Sequence, residues 1–102
     1  MAQLPLSLDF IRQVLAEYFA DKPVRRVEIF GSYAREEATA ESDLDVLLSR
    51  TPDQRLTLFD LVDFQEDLER RLGLRVDLST ALSRFARPHI ESDLLTVYEQ
   101  AA

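Results

Sequence analysis

Three aspartates interrupt short apolar runs that would otherwise look like ordinary strands. Asp43 and Asp45 lie one residue apart at the head of the run Leu44–Leu48, and Asp77 lies inside the run Leu74–Leu78. A carboxylate in a strand interior costs free energy unless something compensates its charge. Because side chains alternate along a strand, we expect Asp43 and Asp45 to share one face while the apolar residues between them face the core.

Two neighbouring carboxylates repel each other, and one of them tends to hold a proton. A divalent cation keeps both ionised, and with Asp77 beside them two Mg²⁺ ions become possible. The chain has no cysteine and a single histidine, His89, so thiolate and multi-histidine sites within one chain are excluded. Oxygen ligands favour Mg²⁺ or Mn²⁺ over zinc.

Gly31 and Ser32 follow an apolar run and could supply the other half of such a site. Gly31 has no side chain, so a phosphate can approach its backbone closely. If Ser32 opens a helical turn, the free backbone N–H groups and the helix dipole favour an anion, and the hydroxyl can donate to a phosphate oxygen. Arg35, one turn later, could reach the same phosphates. Together these residues indicate a divalent-metal site that handles a nucleoside triphosphate.

Each of these features also has a purely structural interpretation. An Asp-x-Asp can end a polar loop, a Gly-Ser is commonly a turn with a helix cap, and an arginine usually forms surface ion pairs. We assign no role to His89 and interpret Tyr33 and Tyr98 as packing residues. Only the combination of the motifs and their order favours a functional site.

The composition is that of a soluble globular protein. The chain has 102 residues, of which 46% are apolar and 30% charged, so we expect one domain over residues 1–102. We find no secretory signal, and no apolar run approaches the ~20 residues that span a bilayer. The lack of cysteine fits a reducing cytoplasm. A net charge of −7 argues against a long nucleic acid as partner, although it allows a metal-bound nucleotide or a basic protein.

The spacing of the apolar residues predicts elements in the order αβαβαβα. Ser7 is the expected N-cap of the first helix, and Gly73 the residue just past the long helix. The predicted elements are a helix over 8–19, a strand over 24–30, a short helical turn over 32–37, a strand over 43–49, a helix from 51–53 to about 72, a strand over 74–79 and a final helix from Pro88 with the inner face Ile90, Leu94, Val97 and Tyr98.

This order predicts an α/β (α+β) fold with a small three-stranded mixed sheet covered by helices. The short link between the first two strands permits antiparallel pairing, and the long helix before the third suits a parallel crossover. The second strand would then lie between the other two. Asp45 and Asp77 would stand on neighbouring strands.

The combined motif resembles the nucleotidyltransferase superfamily typified by DNA polymerase beta, and most closely its minimal nucleotidyltransferase (MNT) proteins. Their usual run reads Gly-Ser-x-Ala-Arg-Gly-Glu and then Ser-Asp-hydrophobic-Asp. Here the run is Gly31-Ser32-Tyr33-Ala34-Arg35-Glu36-Glu37, followed by Ser42-Asp43-Leu44-Asp45, and the third carboxylate is Asp77. The chain departs from the pattern at Glu36, which replaces the usual glycine and puts the catalytic rate in doubt more than the fold.

The resemblance implies a polymerase-beta-like fold and Mg²⁺-dependent transfer of AMP from ATP to a hydroxyl. Asp43, Asp45 and Asp77 would bind metal and act in catalysis, and Gly31, Ser32 and Arg35 would bind the nucleotide. It also implies a partner, a HEPN-domain toxin encoded nearby, with a tyrosine as acceptor and the MNT protein as antitoxin. The few residues after the third strand agree with an acceptor presented by another chain, in a homo- or hetero-oligomer.

Two other functions stay open at this point. A non-catalytic antitoxin would neutralise its partner by contact alone, and Glu36 is the feature that favours it. Transfer to a small molecule of the aminoglycoside type would need an acceptor pocket, for which the sequence offers no second domain. Binding of ATP and Mg²⁺, measured by calorimetry, distinguishes the non-catalytic antitoxin from an enzyme, because a protein that only masks its partner need not bind nucleotide. Modification of the drug by the purified chain alone would support transfer to a small molecule.

Overall fold

The computed structural model of the chain describes residues 4–80 and 91–100. This part contains two α-helices, four strands and one 3₁₀ turn. They are α1 (Leu8–Phe19), β1 (Val24–Phe30), β2 (Leu44–Arg50), α2 (Leu58–Leu72), β3 (Val76–Ser79), the 3₁₀ turn (Glu91–Asp93) and β4 (Leu95–Glu99).

The four strands form one mixed sheet in the order β3-β2-β1-β4. β1 pairs antiparallel with β2, and β2 pairs parallel with β3 through the α2 crossover. The predicted central position of β2 between β1 and β3 is therefore confirmed, as is the α+β class. The predicted number of strands is wrong, because β4 adds a fourth strand on the free edge of β1.

The predicted final helix is wrong over its described part, where residues 95–99 form β4. Val27 pairs with Tyr98 and Ile29 with Leu95, so β4 satisfies a strand edge that β1 would otherwise leave open. Apolar residues near the end of the chain fit a helical spacing, but this long-range pairing outweighs it. The predicted start at Pro88 and the inner residue Ile90 lie outside the described residues.

Side-chain caps set the first residue of each helix. The Ser7 hydroxyl accepts a hydrogen bond from the Phe10 amide at 3.2 Å, as predicted for α1. α2 begins later than predicted because Thr57 and Asp60 form a capping box, each side chain accepting from the other's backbone amide. Gly73 ends α2 with a left-handed φ of 72°, as expected.

Both helices contribute to one apolar core with the face of β2 that carries Leu44, Val46 and Leu48, each 0% exposed. An aromatic cluster joins the helices, with Phe19 of α1 and Phe64 of α2 in edge-to-face contact at 5.5 Å between ring centroids. Asp45 stands between these buried strand residues in sequence, and its side chain therefore belongs to the other face of the sheet.

Candidate active site

The three predicted aspartates lie at one end of the sheet. Asp45 on β2 and Asp77 on β3 are direct partners in the parallel register. Asp43 immediately precedes β2; it is exposed, as is Asp77, whereas Asp45 is partly buried. The expectation that Asp45 and Asp77 stand on neighbouring strands is confirmed.

Asp45 is the carboxylate whose charge this arrangement disfavours. Burial raises the pKa of Asp45, and the carboxylates of Asp77 and Asp43 raise it further, while Arg35 acts in the opposite direction. Removing a carboxylate from water and placing like charges beside it both favour the protonated form. A bound cation would relieve this excess of negative charge.

The donor chemistry of the three aspartates suits a hard divalent cation such as Mg²⁺, which prefers oxygen ligands. Across residues 4–80 and 91–100, however, no three acidic or histidine side chains lie close enough together to hold a metal ion. The fold thus places Asp43 and Asp77 near enough to Asp45 to act on its charge, without a closed coordination sphere among the described residues.

Gly31 ends β1 directly against the Asp45 carboxylate. Its φ of 79° lies in the left-handed region, which side chains rarely adopt. A Cβ at this position would overlap the Asp45 carboxylate oxygen. The left-handed φ therefore favours glycine here, and any larger residue would also have to displace the Asp45 carboxylate.

The segment after Gly31 forms a single hydrogen-bonded turn, where the sequence predicts a short helical turn over 32–37. The Arg35 amide donates to the Gly31 carbonyl at 3.1 Å, as in a helix, but the Glu37 amide donates to the Ser32 carbonyl at 2.8 Å. The second bond spans one residue more along the chain than the first, and it closes the turn with Glu36 at a left-handed φ of 59°. This is the way a helix terminates, so the segment stops after a single turn.

The turn offers backbone donors to an anion although it is not a regular helix. In the described part of the chain, the amides of residues 32–34 donate to no protein acceptor. Consecutive free amides in a turn form a concave site for phosphate-like groups. The partly buried Ser32 side chain adds a hydroxyl at the same place.

Arg35 is held by two carboxylates at the rim of the site. Its Nη1 donates to Asp93 at 2.8 Å and its Nε to Glu37 at 3.1 Å. Asp93 was missed by the sequence analysis, because residues after 88 were interpreted as a helix and nothing in the local spacing points to Arg35. Only the pairing of β4 with β1 brings Asp93 to this place.

A cavity of about 550 Å³ opens beside the turn, between it and α1. Tyr33 and Glu36 line it from the turn, and Asp9 and Arg12 from α1. The three aspartates do not line this cavity. Asp43 and Asp77 are exposed outside it, and Asp45 is partly buried beside Asp77.

Comparisons with known proteins agree with this geometry. The family described as Nucleotidyltransferase domain matches residues 10–97. The putative protein adenylyltransferase MJ1379 of Methanocaldococcus jannaschii is 35% identical over 98 residues, covering 89% of this chain and 98% of the relative.

Two solved structures share the fold. A putative minimal nucleotidyltransferase is 30% identical, with a TM-score of 0.73 over 90% of this chain and 97% of the other. The second structure holds a tri-AMPylated HEPN toxin of Shewanella oneidensis with its MNT antitoxin. The matched chain is 14% identical, with a TM-score of 0.69 over 90% of this chain and 72% of the other.

The mixed sheet, the Gly-Ser turn and the neighbouring aspartates define an enzyme fold for nucleotidyl transfer. The chain belongs to the nucleotidyltransferase domain family and, within it, to the minimal nucleotidyltransferases. In the described residues, neither helix has the length and apolar character needed to cross a membrane.

Proposed function

We propose that the chain transfers AMP from ATP to a tyrosine hydroxyl of a HEPN-domain toxin in the cytoplasm and acts as the antitoxin of that partner. The observation that supports this most is the neighbouring pair Asp45 and Asp77 beside the Gly31 turn, in a member of the nucleotidyltransferase family. The relative from Methanocaldococcus is named as a protein adenylyltransferase, and the Shewanella complex contains an AMPylated HEPN toxin.

In the proposed reaction the acceptor hydroxyl oxygen forms a bond to the α-phosphorus of ATP. The bond from that phosphorus to the oxygen bridging to the β-phosphate breaks, and pyrophosphate leaves. The hydroxyl proton passes to a carboxylate, for which Asp77 is the candidate because it is exposed beside Asp45. Mg²⁺ held by Asp43, Asp45 and Asp77 would, when bound, compensate the triphosphate charge and activate the attacking oxygen.

The Gly31 turn positions the triphosphate in this proposal. The amides of residues 32–34 and the Ser32 hydroxyl donate to phosphate oxygens, and the bare Gly31 backbone allows their close approach. Arg35 adds positive charge at the rim, where Asp93 and Glu37 fix its orientation. Most of the catalytic effect would come from positioning and charge compensation, as in other phosphoryl transfers.

The second candidate is an antitoxin that masks its partner by contact alone. Two observations favour it: Arg35 is already paired with two carboxylates, and the described acidic side chains do not form a closed metal site. This candidate requires neither ATP nor metal. It predicts that neutralisation of the partner is unaffected by loss of the aspartates.

Transfer of label from α-³²P-ATP tests the proposal, using the chain, Mg²⁺ and the HEPN-domain protein encoded beside it. We expect the label on the HEPN protein, with at least about a hundredfold less label after Asp43→Asn with Asp45→Asn. Asp53→Asn serves as the matched control, because it removes an exposed carboxylate from the loop after β2, beyond the end of the strand opposite to Asp45. Equal labelling by the double variant and the unchanged chain would refute the mechanism.

A further inference from the structure

The first turns of α2 carry an apolar surface that the described structure leaves uncovered. Leu58, Phe59 and Val62 are 76%, 83% and 46% exposed. The opposite face of the same helix buries Phe64 and Leu68 in the core. Single exposed leucines are ordinary on a protein surface, but large apolar side chains at positions i, i+1 and i+4 of one helix are contiguous. These three residues are called the α2 patch below.

Charges of opposite sign flank the α2 patch along the helix axis. Arg50 and Arg55 precede it and line a shallow cavity of about 390 Å³. Asp63 and Glu66 follow it on the same helix face, one turn further on. Among the described residues, no ion pair engages any of these four side chains, and Arg50 donates only to backbone carbonyls.

We propose that two copies of this chain pair through their α2 patches, with the helices antiparallel about a two-fold axis. In such a pair Phe59 of each copy packs against Val62 of the other, and the Arg55 end of one helix meets the Glu66 end of the other. In a two-fold dimer, when one residue of the first copy contacts a different residue of the second copy, the same two residues also meet with the copies exchanged. The contacting surface must therefore be complementary to itself, and this is a demand on the charges as well as on the apolar side chains. The order from Arg55 through the α2 patch to Glu66, positive, then apolar, then negative, satisfies this demand.

Pairing through the α2 patch leaves both active sites open. α2 has 15 residues and is therefore about 22 Å long. Its last turn lies beside β3, where the Glu69 carboxylate accepts from the Val76 amide at 2.9 Å. The patch is at the other end of the helix, away from Asp77. The pairing therefore does not depend on the proposed function and should leave nucleotide binding unchanged.

The size of the patch sets the strength that we expect. Stable interfaces bury about 800 Å² on each partner, and three side chains supply only the centre of such a contact. Each copy also carries a net charge of −7, which opposes association at low salt. We therefore expect a weak dimer, with a dissociation constant in roughly the micromolar range.

Sedimentation velocity of the full chain over about a hundredfold range of concentration tests the pairing directly. We expect the unchanged chain to shift from monomer to dimer. Phe59→Gln with Val62→Gln should raise the dissociation constant at least about tenfold, since these exposed apolar side chains form the centre of the contact. Leu4→Gln, which alters an exposed leucine outside the patch, should leave it unchanged.

A charge swap distinguishes a two-fold contact from any other use of the patch. Arg55→Glu alone and Glu66→Arg alone should each weaken the dimer, and the two together should restore it, because the reversed charges again meet across the axis. Calorimetric ATP binding by the Phe59/Val62 variant should match that of the unchanged chain. A chain that stays monomeric throughout, a dimer that survives the double apolar substitution, or a charge swap without restoration overturns the proposal.

Discussion

Replacing Glu36 with glycine should stabilise the fold. Glu36 has a φ of 59°, in the left-handed region where a side chain costs about 1–2 kcal/mol. Glycine removes that cost, but its greater freedom in the unfolded chain offsets about 0.4–1 kcal/mol of the gain. The net increase in the free energy of unfolding is roughly 0.5–1 kcal/mol, which corresponds to a rise in Tm of about 2–8 °C for a domain of this size.

Two control variants separate backbone strain from charge. Glu36→Gln keeps the side chain and removes the charge, so it should leave the strain in place. Gly73 offers the reverse experiment, because its φ is 72° and an added Cβ would meet nothing within 4 Å. Gly73→Ala should therefore destabilise by a similar amount, roughly 0.5–1 kcal/mol, through conformation alone.

Urea and thermal denaturation followed by circular dichroism measure these differences. We expect Glu36→Gly to be more stable than the unchanged chain and Glu36→Gln to be close to it. A glycine variant less stable than the unchanged chain would refute the strain argument. A glutamine variant as stable as the glycine variant would assign the effect to charge instead of φ.

Three further predictions concern the active site. Gly31→Ala should abolish ATP binding in calorimetry, because the added Cβ would overlap the Asp45 carboxylate at a φ of 79°. Asp45→Asn should raise Tm at neutral pH in EDTA, because burial and neighbouring carboxylates raise the pKa of Asp45. In the unchanged chain, the free energy of unfolding measured by urea denaturation should increase as the pH falls through that raised pKa towards the usual carboxylate range. Arg35→Gln should weaken ATP binding at least about tenfold, whereas Arg26→Gln, which removes an exposed ion pair with Glu99 at 2.8 Å, should not.

Each of these predictions has a clear contrary result. ATP binding by Gly31→Ala with unchanged affinity would show that the turn does not approach the phosphates. A Tm unaffected by Asp45→Asn would mean that water and hydrogen bonds already compensate that carboxylate. Equal effects of the two arginine substitutions would remove Arg35 from the nucleotide site.

The part of the fold that local patterns determine was predictable from the sequence. Alternation along Leu44–Leu48 assigned β2 and its buried face, and the long apolar period of 58–72 assigned the crossover helix. These two elements suffice to bring Asp45 beside Asp77, because a parallel crossover places the third strand next to the second. The candidate carboxylates therefore follow from local periodicity and one rule of topology.

The features that depend on distant contacts were not predictable in this way. β4 exists because the edge of β1 accepts it, and the local spacing of its residues also fits a helix. Asp93 reaches Arg35 only as a consequence of that pairing. A glutamate at position 36 does not by itself indicate the left-handed φ of 59°; only the glycine usual at this position in the resembling family points to it.

The central claim, catalysed transfer to a protein partner, is tested most directly by intact-mass measurement of the HEPN protein. The partner is incubated with the chain, ATP and Mg²⁺, and in parallel with the Asp45→Asn variant. We predict that the unchanged chain adds one or more AMP moieties, mapped by peptide analysis to tyrosine, and that the variant adds none. A partner that is neutralised by the unchanged chain without any gain in mass would contradict the claim and establish inhibition by contact alone.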